Sequence, residues 1–233
     1  MNRSTVAAVG HLPAGSAALR AQSGPVAPAA RRSLEPAEIF SRMAIVAMFT
    51  VLAVRLGLDY ASSGRMTVLL LLASEALVVV LTVFRRPTGI VDRSPRARLL
   101  TTVSLLGPML VGPAAAAALV PELATALLSA AGLSVVIGGK LSLGRSFGLM
   151  PANRGIVSTG LYRLVRHPIY SALFLAEVCV ILENFSWINL VLSMIFFALF
   201  VIKTLMEERF LREDPAYATY METVRYRWIP GLL

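Results

Sequence analysis

The sequence predicts an all-α fold, a polytopic membrane helix bundle of five to six spans that ends in a C-terminal helical hairpin. Three observations carry this reading. Of the 233 residues, 57% are hydrophobic and only 15% charged, with a mean hydropathy of +0.73, whereas about a quarter of the residues of a soluble domain are charged. The apolar residues fall in runs close to the ~20 needed to cross a bilayer as a helix. Basic residues sit between those runs, heavily on alternate connections. A water-soluble fold with a large catalytic domain is excluded.

Residues 1–36 are rich in Ala, Gly, Ser and Pro, carry Arg3, Arg20, Arg31 and Arg32, and show neither helical nor alternating periodicity. They are expected to form a disordered cytoplasmic tail. The stretch Val6-Ala7-Ala8-Val9 is too brief for the apolar core of a secretory signal, although the composition is compatible with an organellar presequence. Residues 37–143 are expected to supply four spans, at 38–58, 66–84, 99–119 and 122–143. Pro108 and Pro113 predict a kink in the third, and the run Ala114 to Ala118 lets another helix approach closely. Residues 144–233 form the rest of the same membrane domain: a polar loop, a hairpin of 169–182 and 186–206 turning at Glu183-Asn184, and an interfacial C-terminal segment. The 169–182 arm rises only about 21 Å as a helix, against a hydrocarbon core of about 30 Å, so it is expected to be tilted, partly embedded or extended by its flanks.

The charge distribution orients the bundle. With six crossings, the Arg of the tail, Arg85, Arg86, Arg93, Arg96 and Arg98, then Lys140, Arg145, Arg154, Arg163 and Arg166, then Arg209, Arg212, Arg225 and Arg227 all fall on one side. The other side receives Arg55 and Arg65. Both termini and the 144–168 loop are therefore expected to be cytoplasmic, in a bacterial inner membrane or its equivalent. The formal charge of +9 comes from 22 basic and 13 acidic residues, and 20 of the 22 are Arg dispersed between apolar runs; membrane topology explains this better than nucleic acid. One cysteine, Cys179, rules out an intrachain disulfide, and with His11 and His167 as the sole histidines no metal site is expected.

The chemistry concentrates in two places. The 143–170 segment is dense in Gly, Arg and aromatic residues, and non-spanning stretches of this length are often functional. Pro168 suits the first position of a helix, which puts His167 at the helix entrance and Tyr170 one turn inside. Lys203 and Glu207, four apart on one helix face, sit where the last span leaves the membrane. An antiparallel hairpin returns them beside His167 and Tyr170. Glu208 is expected to be a solvated helix end pairing with Arg212. Glu75 and Glu177, inside spans where ionisable groups are expensive, are expected to be interhelical contacts or protonated acids. Trp187, Tyr226 and Trp228 are expected in the interfacial belt.

The motif Gly160-Leu161-Tyr162-Arg163-Leu164-Val165-Arg166-His167-Pro168-Ile169-Tyr170 is followed by Glu207-Glu208, then Tyr217 and Tyr220, then Arg227-Trp228-Ile229-Pro230-Gly231. Over about 140–233, this set resembles the isoprenylcysteine carboxyl methyltransferases and their phospholipid methyltransferase relatives. The resemblance implies an integral-membrane enzyme using S-adenosyl-L-methionine (SAM), with a site built from loop and hairpin; no strand followed by a Gly-rich turn is offered here. Carried over by position, Arg154, Gly155, Ile156, Val157, Tyr162, His167, Pro168, Ile169, Tyr170 and Glu207 would hold the cofactor. Lys203 would lie near the acceptor, with Arg166 as a second candidate there or a topological anchor. His167 and Glu207 are the nearest groups to take a proton from an acceptor that must lose one.

The partners implied are a lipophilic small-molecule or lipid acceptor with a carboxylate, thiol or amine nucleophile, together with membrane lipids. A small thiol or an aminophospholipid headgroup is the alternative within the enzyme class, and a non-enzymatic transporter or assembly protein the alternative outside it. This chain has Leu161 where many members have Pro or Val, and Ala172 where many have Gly. Lys203 stands where prenylcysteine enzymes have Arg, replacing a bidentate clamp by a point charge.

Overall fold

The computed structural model describes residues 36–64, 66–106, 110, 119–183 and 185–232. Among them are seven α-helices: α1 (Pro36–Ser63), α2 (Met66–Phe84), α3 (Pro95–Leu106), α4 (Glu122–Leu143), α5 (Pro168–Glu183), α6 (Trp187–Leu211) and α7 (Pro215–Thr223). The described residues contain no strand beyond an isolated bridge between Val91 and Ala152. The all-α membrane bundle expected from the sequence is what forms.

Local chemistry sets the helix starts. Helices α1, α3, α5 and α7 all begin on proline, whose missing N–H costs nothing in the first turn and whose φ already suits a helix. Side chains ahead of three helices cap the remaining N–H groups. Ser94 Oγ accepts from Ala97 N at 3.2 Å, Ser186 Oγ from Asn189 N at 3.0 Å, and Asp214 Oδ1 from Ala216 N at 2.8 Å.

Four helical stretches are long and apolar enough to cross a membrane: Glu38–Ser63, Met66–Phe84, Glu122–Ser146 and Trp187–Leu211. Helix α5 has 16 residues, about 24 Å, and is the short hairpin arm that was expected. Helix α3 starts at Pro95 rather than near 99. Its expected continuation, with Pro108, Pro113 and Ala114 to Ala118, lies outside the described residues, as does the 1–35 stretch of the expected tail.

Packing runs α1 on α2, α2 on α4, α4 on α5, α5 on α6, and α3 on α6. Phe49, Val78, Leu81 and Phe147 form one apolar core between α1, α2 and the turn after α4; Tyr217, Tyr220 and Val224 form a smaller one at α7. Helix α1 keeps Phe40, Met43, Val51, Val54 and Leu58 on the outside, as a helix bordered by lipid does. Glu177 accepts from Ser193 Oγ at 3.1 Å across the hairpin, the interhelical contact expected of it. At the α4–α5 crossing the backbones come close, since a Cβ added at Gly139 would lie 2.7 Å from Ile169 Cγ1.

That crossing sets the position of the α5 entrance. Gly139→Val should lower stability by about 1–3 kcal/mol, the usual cost of overpacking. At Gly57, where an added Cβ meets nothing within 4 Å, Ala should be neutral or mildly stabilising. Thermal unfolding of the two variants in detergent checks the contrast.

Candidate functional site

Two connections build the loop end of the bundle. The stretch after α2 and the stretch after α4 are laced together by Arg86 N donating to Arg145 O (2.7 Å), Asp92 N to Pro151 O (3.0 Å), Asn153 N to Ile90 O (3.0 Å) and Thr88 Oγ1 to Asn153 O (2.7 Å). Asn153 Nδ2 also donates to Asp214 Oδ2 at 2.6 Å. These bonds fix Arg154. Its guanidinium packs on Gly148, where an added Cβ would lie 2.6 Å from Nη1. Arg154 is buried, and its Nε has no hydrogen-bond partner among the described residues. Burial, then repulsion from Arg85, draws its pKa down to about 10. It therefore remains a cation at neutral pH, beside a cavity that it helps to line.

Further along, Gly160 takes φ +61°, and a Cβ there would collide with Ser142 Oγ. Both the backbone angle and the space require glycine. The resulting turn (Gly160–Arg163) lies on α4 and buries Tyr162. Tyr220 Oη donates to Tyr162 O at 2.8 Å and locks the turn to α7. Burial pushes the Tyr162 phenol well above its ordinary pKa, and the Glu207 charge pushes the same way. The phenol is thus held protonated.

Helix α5 then presents Tyr170, whose Oη donates to Glu207 Oε2 at 3.0 Å. The His167 ring stacks on Tyr170 at 5.5 Å with 18° between planes, and Lys203 Nζ lies 5.8 Å from the Tyr170 ring centroid, within cation–π range. The hairpin closes the 37-residue gap between Tyr170 and Glu207 into one contact.

A cavity of about 250 Å³ opens among these groups. Arg154, Gly155, Ile156, Val157, Tyr162, Arg166, His167, Ile169, Tyr170, Lys203 and Glu207 all line it. Pro168 is buried as the first residue of α5 and is not part of the lining. The lining is completed by Phe49, Val78, Thr101, Ser104 and Leu105 of the first three helices, with Glu75 and Lys140.

Glu208 departs from expectation. It is only 2% exposed and does not serve as a solvated partner of Arg212. Glu208 Oε1 accepts from Arg166 Nε at 2.7 Å and lies 3.3 Å from His167 Nε2, while Oε2 accepts from Arg227 Nε at 3.0 Å. Arg166 continues the network by donating to Val224 O and Arg225 O at 2.8 and 2.7 Å. Backbone bonds run alongside, from Arg166 N to Tyr226 O and from His167 N to Arg227 O. The reason for the inversion is angular. Successive residues on a helix point about 100° apart, so turning Glu207 toward Tyr170 turns Glu208 toward the strap of residues 224–228.

Trp228, expected in the interfacial belt, packs edge-on against Phe174 at 5.7 Å. Lys140, counted only as loop charge, is buried and donates to Ser74 O and Ser74 Oγ at 2.9 and 2.7 Å, with Glu75 Oε1 at 3.8 Å. Its position one turn inside an apolar span was the available signal.

Residues 125–218 match the family model of the phospholipid methyltransferases, which bears out the resemblance drawn from the motifs. The match supports a membrane methyltransferase in general. It begins in α4 and ends in α7, so it covers the loop and hairpin side of the cavity and leaves out α1 to α3. No curated protein matches the chain.

Deleting one member of a buried ion network strands the others. Glu208→Ala should therefore cost about 3–5 kcal/mol of stability. Arg212→Ala, at the exposed helix end, should stay within about 0.5 kcal/mol of the parent. Thermal unfolding in detergent measures both.

Proposed function

We propose that this protein transfers a methyl group from SAM to a lipophilic acceptor at the cytoplasmic boundary of the membrane, in the manner of the isoprenylcysteine carboxyl methyltransferases. The observation that carries the reading is the convergence of Arg154, Tyr162, Tyr170, Lys203 and Glu207 on one cavity, inside the segment that matches the family model.

The residues suit the cofactor chemically. SAM has a carboxylate, an apolar purine and a sulfonium. Arg154 offers a buried guanidinium with an unused Nε, Ile156 and Val157 offer apolar surface, and Glu207 with the Tyr162 and Tyr170 rings offers anionic and π-rich surroundings for a cation. When bound, the cofactor would supply an electrophilic methyl group on that sulfonium. The chain's part is mainly to hold acceptor and methyl in line and to exclude water.

Tyr170 fixes the Glu207 carboxylate by donating to it. A carboxylate acceptor needs no base. A thiol or amine must give up a proton, and Glu207 is the cavity carboxylate placed to take it, because His167 has its Nε2 turned to Glu208. Lys203, one turn before Glu207 on the same helix and buried, is left to face the acceptor or its developing charge. In this reading the acceptor enters from the bilayer and SAM from the cytoplasm, the side on which the charge distribution of the sequence puts both termini.

Calorimetric titration with SAM tests the donor half. Glu207→Gln and His167→Ala should weaken binding by about 1–3 kcal/mol each, the first by losing a charged contact and the second by loosening the loop. Wild-type affinity in both would reject the assignment. Lys203→Met tests the acceptor half, using radiolabelled SAM and a lipid extract of the source membranes. Methyl transfer should fall at least about tenfold, or ~1.4 kcal/mol in barrier, with SAM affinity nearly unchanged. An unchanged rate, or a loss confined to SAM affinity, removes Lys203 from the acceptor site.

A further inference from the structure

The part of the cavity lining that comes from α2, α3 and α4 carries polar groups that the reading above leaves without work. Glu75 lies nine residues before the end of α2, and Thr101 and Ser104 lie six and nine residues after the start of α3. At about 1.5 Å per residue these Cα atoms sit roughly 9–13 Å inside the loop end of the bundle. Lys140 of α4 joins them by reaching to Ser74. All four line the same cavity, among the apolar side chains of Phe49 and Val78.

Two features distinguish this wall from ordinary interhelical polarity. The first is the state of the hydroxyls. Ser134, Ser142 and Thr204, also within helices, each donate to the carbonyl four residues back, at 2.8, 2.7 and 2.9 Å. That is the usual resort of a helical hydroxyl away from water. Thr101 Oγ1 and Ser104 Oγ are buried and have no hydrogen-bond partner among the described residues, and Ser104 is 8% exposed. Three apart on one helix, they share a face, and both residues line the cavity. A buried hydroxyl left unmade is costly, so two on a cavity wall point to a group that arrives from outside.

The second feature is charge. Lys140 Nζ is satisfied by Ser74 O and Ser74 Oγ and lies 3.8 Å from Glu75 Oε1, and Ser74 Oγ donates to Glu75 Oε1 at 3.2 Å. One cation faces one anion, so this part of the wall is neutral. Lys203, another buried cation of the lining, lies eight residues before the end of α6 and so at a similar depth. At this depth it is the group left to meet an anion, while Thr101 and Ser104 are left to meet a neutral hydrogen-bonding group.

We propose that Thr101 and Ser104 of α3, which packs on α6, form a recognition subsite for the methyl acceptor, taking an uncharged hydrogen-bonding group such as a hydroxyl or phenol carried on an amphiphile. The proposal rests on the methyltransferase reading and extends it to the acceptor's class. The subsite reads the acceptor, and the nucleophile belongs to the Glu207–Tyr170 end of the cavity. Both hydroxyls belong to α3, outside the segment that matches the family model.

The test uses the full chain in lipid nanodiscs, with radiolabelled 4-octylphenol, 4-octylbenzoate, 4-octylbenzylammonium and octylbenzene as probes, corrected for partition into empty nanodiscs. The phenol should bind at least about tenfold more tightly than octylbenzene. Thr101→Val with Ser104→Ala should weaken the phenol about tenfold and leave octylbenzene unchanged, which shows that the cavity persists. If the double variant does not fold, each single variant should lose about threefold. Wild-type phenol binding in the variants, a phenol bound by the parent protein no more tightly than octylbenzene, or a double variant that weakens the benzoate and the ammonium as much as the phenol, overturns the proposal. Failure of the methyltransferase reading appears separately, as absence of SAM binding by the parent protein in the calorimetric titration.

Discussion

Glu208 is the point on which the site end of the molecule turns. Its carboxylate, 2% exposed, draws together three segments distant in sequence: α6, which carries it; the Arg166-His167 entrance of α5; and the C-terminal strap through Arg227. A buried carboxylate persists only when paired and hydrogen-bonded, so forming this network fixes the register of the hairpin and of the strap at once. The neighbouring residue inherits the benefit. With Glu208 committed to the strap, Glu207 is directed to Tyr170 and the cavity, so that one glutamate serves the structure and the adjacent one the site.

Around that anchor the cavity has two sides of different character. The loop and hairpin side is rich in charge and aromatic rings, with Arg154, Tyr162, Tyr170 and Glu207, and it lies within the segment that matches the phospholipid methyltransferase model. The side formed by α1 to α3 is largely apolar, relieved by Thr101, Ser104 and the Glu75–Lys140 pair. In the proposed reaction the first side handles a charged, water-borne donor and the second an acceptor drawn from lipid. The 85–94 connection keeps the two in a common frame by lacing the start of α3 to the loop that holds Arg154.

The bundle was legible in the sequence because a bilayer imposes length and hydropathy on every crossing. The runs at 66–84 and 122–143 correspond to α2 and α4 to the residue at both ends. The gathering of Tyr170, Lys203 and Glu207 was legible too, since hairpin geometry alone returns the end of α6 to the start of α5. Side-chain direction was not. Nothing in the pair Glu207-Glu208 says which member turns inward until Arg166 and Arg227 are placed, and those sit on segments whose approach is set by tertiary packing. Lys140 and Glu75 were hidden for a similar reason. They are 65 residues apart and meet only through the α2–α4 crossing, and Thr101 and Ser104 read as unremarkable helix residues until their hydroxyls are found unpartnered.

The central claim is that the cavity bounded by the loop and the hairpin receives SAM. Ultraviolet cross-linking of methyl-labelled SAM to the full chain, followed by peptide mapping, addresses it directly. The account predicts label within 154–170 or 203–207, and its loss in the presence of excess unlabelled SAM. Label confined to other segments, or label that excess SAM does not displace, would contradict it.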